Sequence, residues 1–165
     1  MRARPRPRKE YHGRETQGNQ EEGTRMSILS QDVIDLINGP VTGVLGTAAP
    51  DGMPNAVPVG AKAVVDERTV MVSDQFFGKT RANIDANPKA TLSIWTDGFG
   101  VQVKGSVSYE TDTERAKEWI EKVNANFAAK GRDLKSRGIC FISIEAVYST
   151  TPGDHAGELL FAAEA

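Results

Sequence analysis

From Met26 onward, apolar and polar positions alternate in short runs separated by turn residues, the pattern of a mostly β chain with a few helices. Ser30 is placed to cap a short helix carrying Val33, Ile34 and Ile37 on one side, and Gly39-Pro40 ends it. Residues 41–48 and 55–65 read as two strands around Pro50-Asp51-Gly52, a strong hairpin signal. A third strand is predicted from Arg68 to Ser73, after the polar turn Asp66-Glu67. A helix follows from Lys79 to Ala86, stopped by Asn87-Pro88, and strands follow over 89–95 and 99–109, joined by Thr96-Asp97-Gly98. Thr111-Asp112-Thr113-Glu114 reads as a capping box opening one long helix. Its stripe of Ala116, Trp119, Ile120, Val123 and Phe127 belongs to core or dimer packing. A last strand over 138–148 precedes a tail from Ser149 to Ala165. Six consecutive strands joined largely by hairpins favour a mainly β, antiparallel barrel over a doubly wound sheet.

Size and charge refine this picture. With 165 residues, 39% of them hydrophobic, the chain suits one domain, placed here at residues 26–165. Residues 1–25 hold seven basic and four acidic groups, a balance of +3, and almost no apolar side chains. Such a segment cannot offset its ordering entropy, so a disordered extension is expected, with a nucleic-acid-binding basic arm as the alternative. The net charge of −2 leaves −2 − 3 = −5 for the remainder, which argues against a nucleic-acid-binding body. No run approaches the roughly 18 apolar residues of a membrane span, and no apolar run follows the arginine-rich start. The only cysteine, Cys140, lies in the apolar run Ile139-Cys140-Phe141-Ile142 and reads as a buried structural thiol. These features together suggest a cytoplasmic protein.

The segment Ser73-Asp74-Gln75-Phe76-Phe77-Gly78-Lys79-Thr80-Arg81 carries the most chemistry. It leaves a strand and opens a helix, whose first N–H groups lack internal partners and whose dipole is positive there. Lys79 adds a full charge, Thr80 a hydroxyl donor, and Gly78 permits close approach, which are the ingredients of a phosphate site. The same segment is one residue short of a P-loop, with Ser73 in place of the first glycine. That reading is rejected, because Asp74, Phe76 and Phe77 would stand where phosphates are wrapped, and no β-α alternation surrounds them. In the strand over 55–65, Val57, Val59, Ala61, Ala63 and Val65 form one apolar face, with Pro58, Gly60 and Lys62 opposite. A planar ligand against the main chain and an ordinary barrel corner both account for Pro58 and Gly60. Gln102 offers donors and an acceptor for the polar edge of a ring, while Lys62 and Lys104 would favour an anionic ligand. Phe76 and Phe77 are assigned either to ring packing or to the core. The two histidines, His12 and His155, form no metal-ligand spacing or hydrolase constellation, so no catalytic or metal residue is named.

Taken in order, Gly46 to Val59, Asp74 to Asn83, Asn87-Pro88, Val101 to Gly105 and Val147 to Gly153 resemble the flavin-binding split-barrel superfamily that includes pyridoxamine 5′-phosphate oxidase. The likeness is strongest to its small flavin mononucleotide (FMN)-binding members. The resemblance implies a six-stranded split barrel and a homodimer with an FMN at each side of the interface. It places Lys79 and Thr80 on the phosphate, and Ser73 and Asp74 near the ribityl chain. Val57, Pro58 and Val59 would line the isoalloxazine, largely through backbone groups, and Gln102 would contact the flavin. The arginine-rich strand and the Trp- and Arg-containing C-terminal signature of the oxidase are missing, so pyridoxamine-phosphate oxidation is not the expected activity. The expectation is an FMN-dependent oxidoreductase taking a hydride or electrons from reduced nicotinamide or a redox protein. The alternatives are a non-catalytic FMN-binding or electron-carrier protein, or the same barrel holding deazaflavin F420 or haem.

Overall fold

Eight strands and three helices make up the computed structural model, which describes residues 29–163. The extension over residues 1–25 lies outside the described residues. Helix α1 (Gln31–Asn38) buries Val33, Leu36 and Ile37, and Ser30 occupies its cap position through backbone geometry alone, without a side-chain hydrogen bond. Strands β1 (Gly43–Ala48) and β2 (Pro54–Val59) form the predicted hairpin. At its tip Gly52 takes φ +88°, and the Met53 N–H donates to Asp51 Oδ1 at 3.0 Å.

The strand predicted over 55–65 is two strands. β2 ends at Val59, β3 (Lys62–Asp66) begins after Gly60-Ala61, and the two pair with different neighbours. The break also shifts the parity of the side chains. Val57 and Val59 pack on the barrel interior, whereas Ala61, Ala63 and Val65 pack on a second cluster outside it. One continuous apolar face is therefore not what forms: past the break Val64 packs on the interior cluster, and Ala61, Ala63 and Val65 take the outer side. Strand β4 (Thr69–Asp74) returns beside β3 and leads into helix α2 (Lys79–Ala86). The long hairpin of β5 (Lys89–Thr96) and β6 (Phe99–Glu110) follows, then helix α3 (Glu114–Ala129) and strand β7 (Gly138–Ser149).

The sheet order is β2-β1-β5-β6-β7-β4-β3, with every neighbouring pair antiparallel. Its two ends are consecutive in sequence, so the sheet curls into a barrel whose split lies between β2 and β3. The segment expected to be a bare tail adds an eighth strand, β8 (Leu159–Ala162), on β7. Six strands thus become eight, by division of one and addition of another, while the split barrel itself stands.

Two clusters hold the fold. The interior contains Leu45, Leu92, Ile94, Val101, Val103 and Ile142, all fully buried, and α1 packs into the same cluster. Removing one such side chain to alanine costs about 2–5 kcal/mol in a close-packed core. Outside the barrel, Ala116, Val123 and Phe127 of α3 cover Met71, Ile139 and Phe141, so the helical stripe is core. Strand β4 lies between both clusters, which is why its last five residues are all buried. Cys140 is fully buried, and burial pushes its thiol up to about 12. No helix among the described residues is long and apolar enough to cross a membrane.

Candidate functional site

The candidate site forms where β4 hands the chain to α2. Pro88 cannot continue a helix, and Asn87 closes α2 by donating its N–H to Asn83 O at 2.7 Å. At the other end the cap residue is Gly78, which has no side chain to satisfy the first amides. A side chain at Gly78 would meet nothing within 4 Å, so the space over the helix start is open. Lys79 stands exposed there and makes no ion pair among the described residues.

A set of neutral polar groups docks this turn on the β1–β2 hairpin. Asn55 Nδ2 donates to Thr80 Oγ1 at 3.0 Å and to Thr47 Oγ1 at 3.2 Å, and Asn83 Nδ2 reaches Thr47 Oγ1 at 3.2 Å. Thr80 is 1% exposed, with its hydroxyl oxygen already accepting from Asn55. Between hairpin and turn runs an open groove of about 380 Å³, lined by Asn55, Val57, Pro58, Val59, Gln75, Phe76, Phe77, Gly78, Lys79 and Thr80. Five of the eight residues predicted for the site therefore meet in one groove: Val57, Pro58, Val59, Lys79 and Thr80. Pro58 sits on an edge strand, the place in a sheet where a residue without an N–H is tolerated. Phe76 projects into solvent at 79% exposure, while Phe77 packs partly on the interior.

The other three predicted residues are placed differently. Ser73 is buried behind the turn, where its hydroxyl pairs with Ser136 Oγ at 2.7 Å and accepts from Gln75 Nε2. Asp74, 2% exposed, points away from the groove and accepts from Phe77 N–H, Arg137 Nη2 and Tyr109 O–H at 2.7, 3.0 and 2.9 Å. Burial, and then the hydrogen bond to that carboxylate, raises the Tyr109 hydroxyl above its ordinary value. Gln102 lies on β6, bonded to Ser93 Oγ at 3.2 Å, and is not among the groove residues of the same chain.

The lysines expected to face an anion separate as well. Lys104 is exposed over the Tyr148 ring. Lys62 is 7% exposed and donates to Gly39 O at 3.2 Å. It lines a different cleft, with Trp119, Lys122 and Asn126, and burial lowers its ammonium pKa.

Arg81, in the first turn of α2, is consumed locally. Its Nε contacts both Asp85 oxygens at 2.8 and 2.9 Å, and its guanidinium lies 3.6 Å from the centre of the Tyr109 ring. Sequence reasoning missed Asn55, Tyr109 and Arg137. Asn55 had a signal, since it shares the alternation of Val57 and Val59; the other two arrive by long-range packing, Tyr109 from β6 and Arg137 from the segment just before β7.

The sequence is 30% identical over 143 residues to an uncharacterised protein of Methanocaldococcus jannaschii, covering 84% of this chain and 91% of that protein. Among solved structures, HupZ of Group A Streptococcus shares the fold at TM-score 0.65 and 23% identity, over 78% of this chain and 99% of its own. An FMN-binding protein of Syntrophomonas wolfei does so at TM-score 0.61 and 18% identity, over 72% and 83%. An F420 reductase reaches TM-score 0.56 at 18% identity, over 72% and 98%. Residues 29–151, from just before α1 to just past β7, match the pyridoxamine 5′-phosphate oxidase family, and the chain belongs to it.

Proposed function

We propose that this chain binds FMN in the groove between β2 and the 74–80 segment and works as a flavin-dependent oxidoreductase. The observation that carries the reading is the start of α2. A helix N-terminus without a side-chain cap, with an exposed lysine beside it, opens onto a groove walled by Val57, Pro58 and Val59. These residues suit a ligand with an anionic end and a flat apolar body. Lys79 and the first amides of α2 would hold the phosphate, and the β2 backbone would lie along the ring. Thr80 would contribute its O–H while Asn55 keeps its oxygen in place.

When bound, FMN would supply the hydride or electron chemistry, and the protein would supply orientation and local charge. Groove residues would hold the ring and exclude water from one of its faces, and no side chain is required to act as acid or base. Reduced nicotinamide or a redox protein fits as the donor. A homodimer, with each groove closed by a second copy, belongs to the same proposal. A family relation to an oxidase and a fold shared with an FMN-binding protein support the cofactor class. The fold shared with an F420 reductase supports a deazaflavin as the second reading.

The visible spectrum of the purified protein, with mass analysis of what it releases on denaturation, tests this. Flavin bands with the mass of FMN are the expected result. A deazaflavin mass would move the chain to the second reading, and a colourless protein that takes up neither when supplied would overturn both.

A further inference from the structure

We propose that Asp74 is a positioning residue, which acts through the 74–78 turn to aim the start of α2 and does not touch the ligand; this rests on the flavin-binding reading above. The Asp74 carboxylate is spent on the side of the turn away from the groove. Oδ1 accepts from Phe77 N–H at 2.7 Å and Arg137 Nη2 at 3.0 Å, and Oδ2 accepts from Tyr109 O–H at 2.9 Å. The same Arg137 Nη2 reaches Phe77 O at 2.9 Å, and the Arg137 backbone N–H donates to Asp74 O at 2.7 Å.

Phe77 is thereby held at both its N–H and its C=O. Because Gly78, Lys79 and Thr80 follow it directly, the plane of that peptide sets where the first amides of α2 point. The clamp is anchored in β6 through Tyr109, which carries the stacked Arg81 on its ring, and beside β7 through Arg137. A phosphate site made largely of backbone amides depends on such aim, since hydrogen bonds weaken steeply when misdirected.

Charge alone makes the opposite prediction. A carboxylate near a phosphate repels it, so replacing Asp74 by a neutral isostere would tighten FMN binding if proximity were all that mattered. If Asp74 is a clamp, the same replacement weakens binding. Riboflavin, which lacks the phosphate, separates an effect on the cradle from a general loss of structure.

The experiment is a fluorescence titration of the full-length chain, stripped of flavin, with FMN and with riboflavin. Wild type is compared with Asp74→Asn, Arg137→Met and Arg137→Lys. Asp74→Asn and Arg137→Met should each weaken FMN about tenfold, the effect of a lost charge-assisted bond. Riboflavin affinity should be unchanged, and Arg137→Lys, which keeps a charged donor, should restore most of the FMN affinity. Unchanged or tighter FMN binding in both variants, or equal losses for FMN and riboflavin, would overturn the clamp. Should Asp74→Asn not fold, the half-exposed Arg137 pair of variants decides alone. Wild type that binds neither flavin would instead overturn the flavin reading, a result distinct from failure of the clamp.

Discussion

Lys79 and Arg81 stand two residues apart in the same helical turn with different fates. Arg81 has its charge met by Asp85 and its flat face by Tyr109, so it is structural. Lys79 is exposed beside the uncapped amides. Lys79→Ala should therefore weaken FMN binding by about 1.5–3 kcal/mol, the cost of one hydrogen bond to a charged group, without lowering the melting temperature. Arg81→Ala should do the reverse, lowering the melting temperature and sparing FMN affinity. Fluorescence titration and thermal denaturation of the two variants check the assignment, and equal FMN losses would contradict it. At this scale the sequence was partly legible. A helix start announces itself in sequence, so Lys79, Thr80 and Gly78 could be read. Which way Asp74 points could not, because that depends on Arg137, 63 residues later, and on Tyr109, 35 residues later.

Elements were legible where periodicity was local and misread where a break in the sheet intervened. Nothing in the alternation from Val57 to Val65 announces that Gly60-Ala61 changes strand partners and moves the pattern from the interior to the outer cluster. The eighth strand was missed because Leu159–Ala162 is short and largely exposed, with no burial pattern to betray it. The start of α3 was misjudged by two residues. Thr113, not Thr111, is the cap, accepting from Ala116 N–H. Glu110, at the end of β6, then joins the strand to the helix. It accepts from Thr113 Oγ1 at 2.6 Å, from Ser108 Oγ at 2.8 Å and from the Arg115 guanidinium.

The hydrogen bond from Arg115 holds the Glu110 carboxyl at about 2, below its ordinary 4.5. A depressed carboxyl stabilises the fold fully above its ordinary value, and that contribution is lost as the pH falls toward the folded value. Glu110→Gln should cost about 1–2 kcal/mol at neutral pH, allowing for screening around half-exposed Arg115. The gap in melting temperature between wild type and variant should close as the pH drops from about 5 to about 2. A gap that stays constant through that window would show that the corner is held by shape, not by charge.

For the molecule as a whole, the groove has an exposed rim in a single chain. Phe76 stands at its rim with most of its ring in solvent, and Pro58 is exposed along its wall. Gln102, which the family resemblance places against the flavin, is on β6 and outside the groove of its own chain. If Gln102 does contact the cofactor, it must come from a second copy, and the exposed rim then becomes buried contact area. One arrangement answers both facts, which is the reason to prefer a dimer to a monomer with a half-open site. Light scattering on the flavin-loaded protein should give twice the 17.8 kDa chain mass. Phe76→Ser should shift it toward one chain mass and lower FMN affinity together, since the same contact would close the groove. Gln102→Ala should lower FMN affinity and leave the mass at two chains, because that side chain would meet the ligand and not the neighbouring surface. A monomer that holds FMN as tightly as the wild type would remove both the second copy and any role for Gln102 in the site.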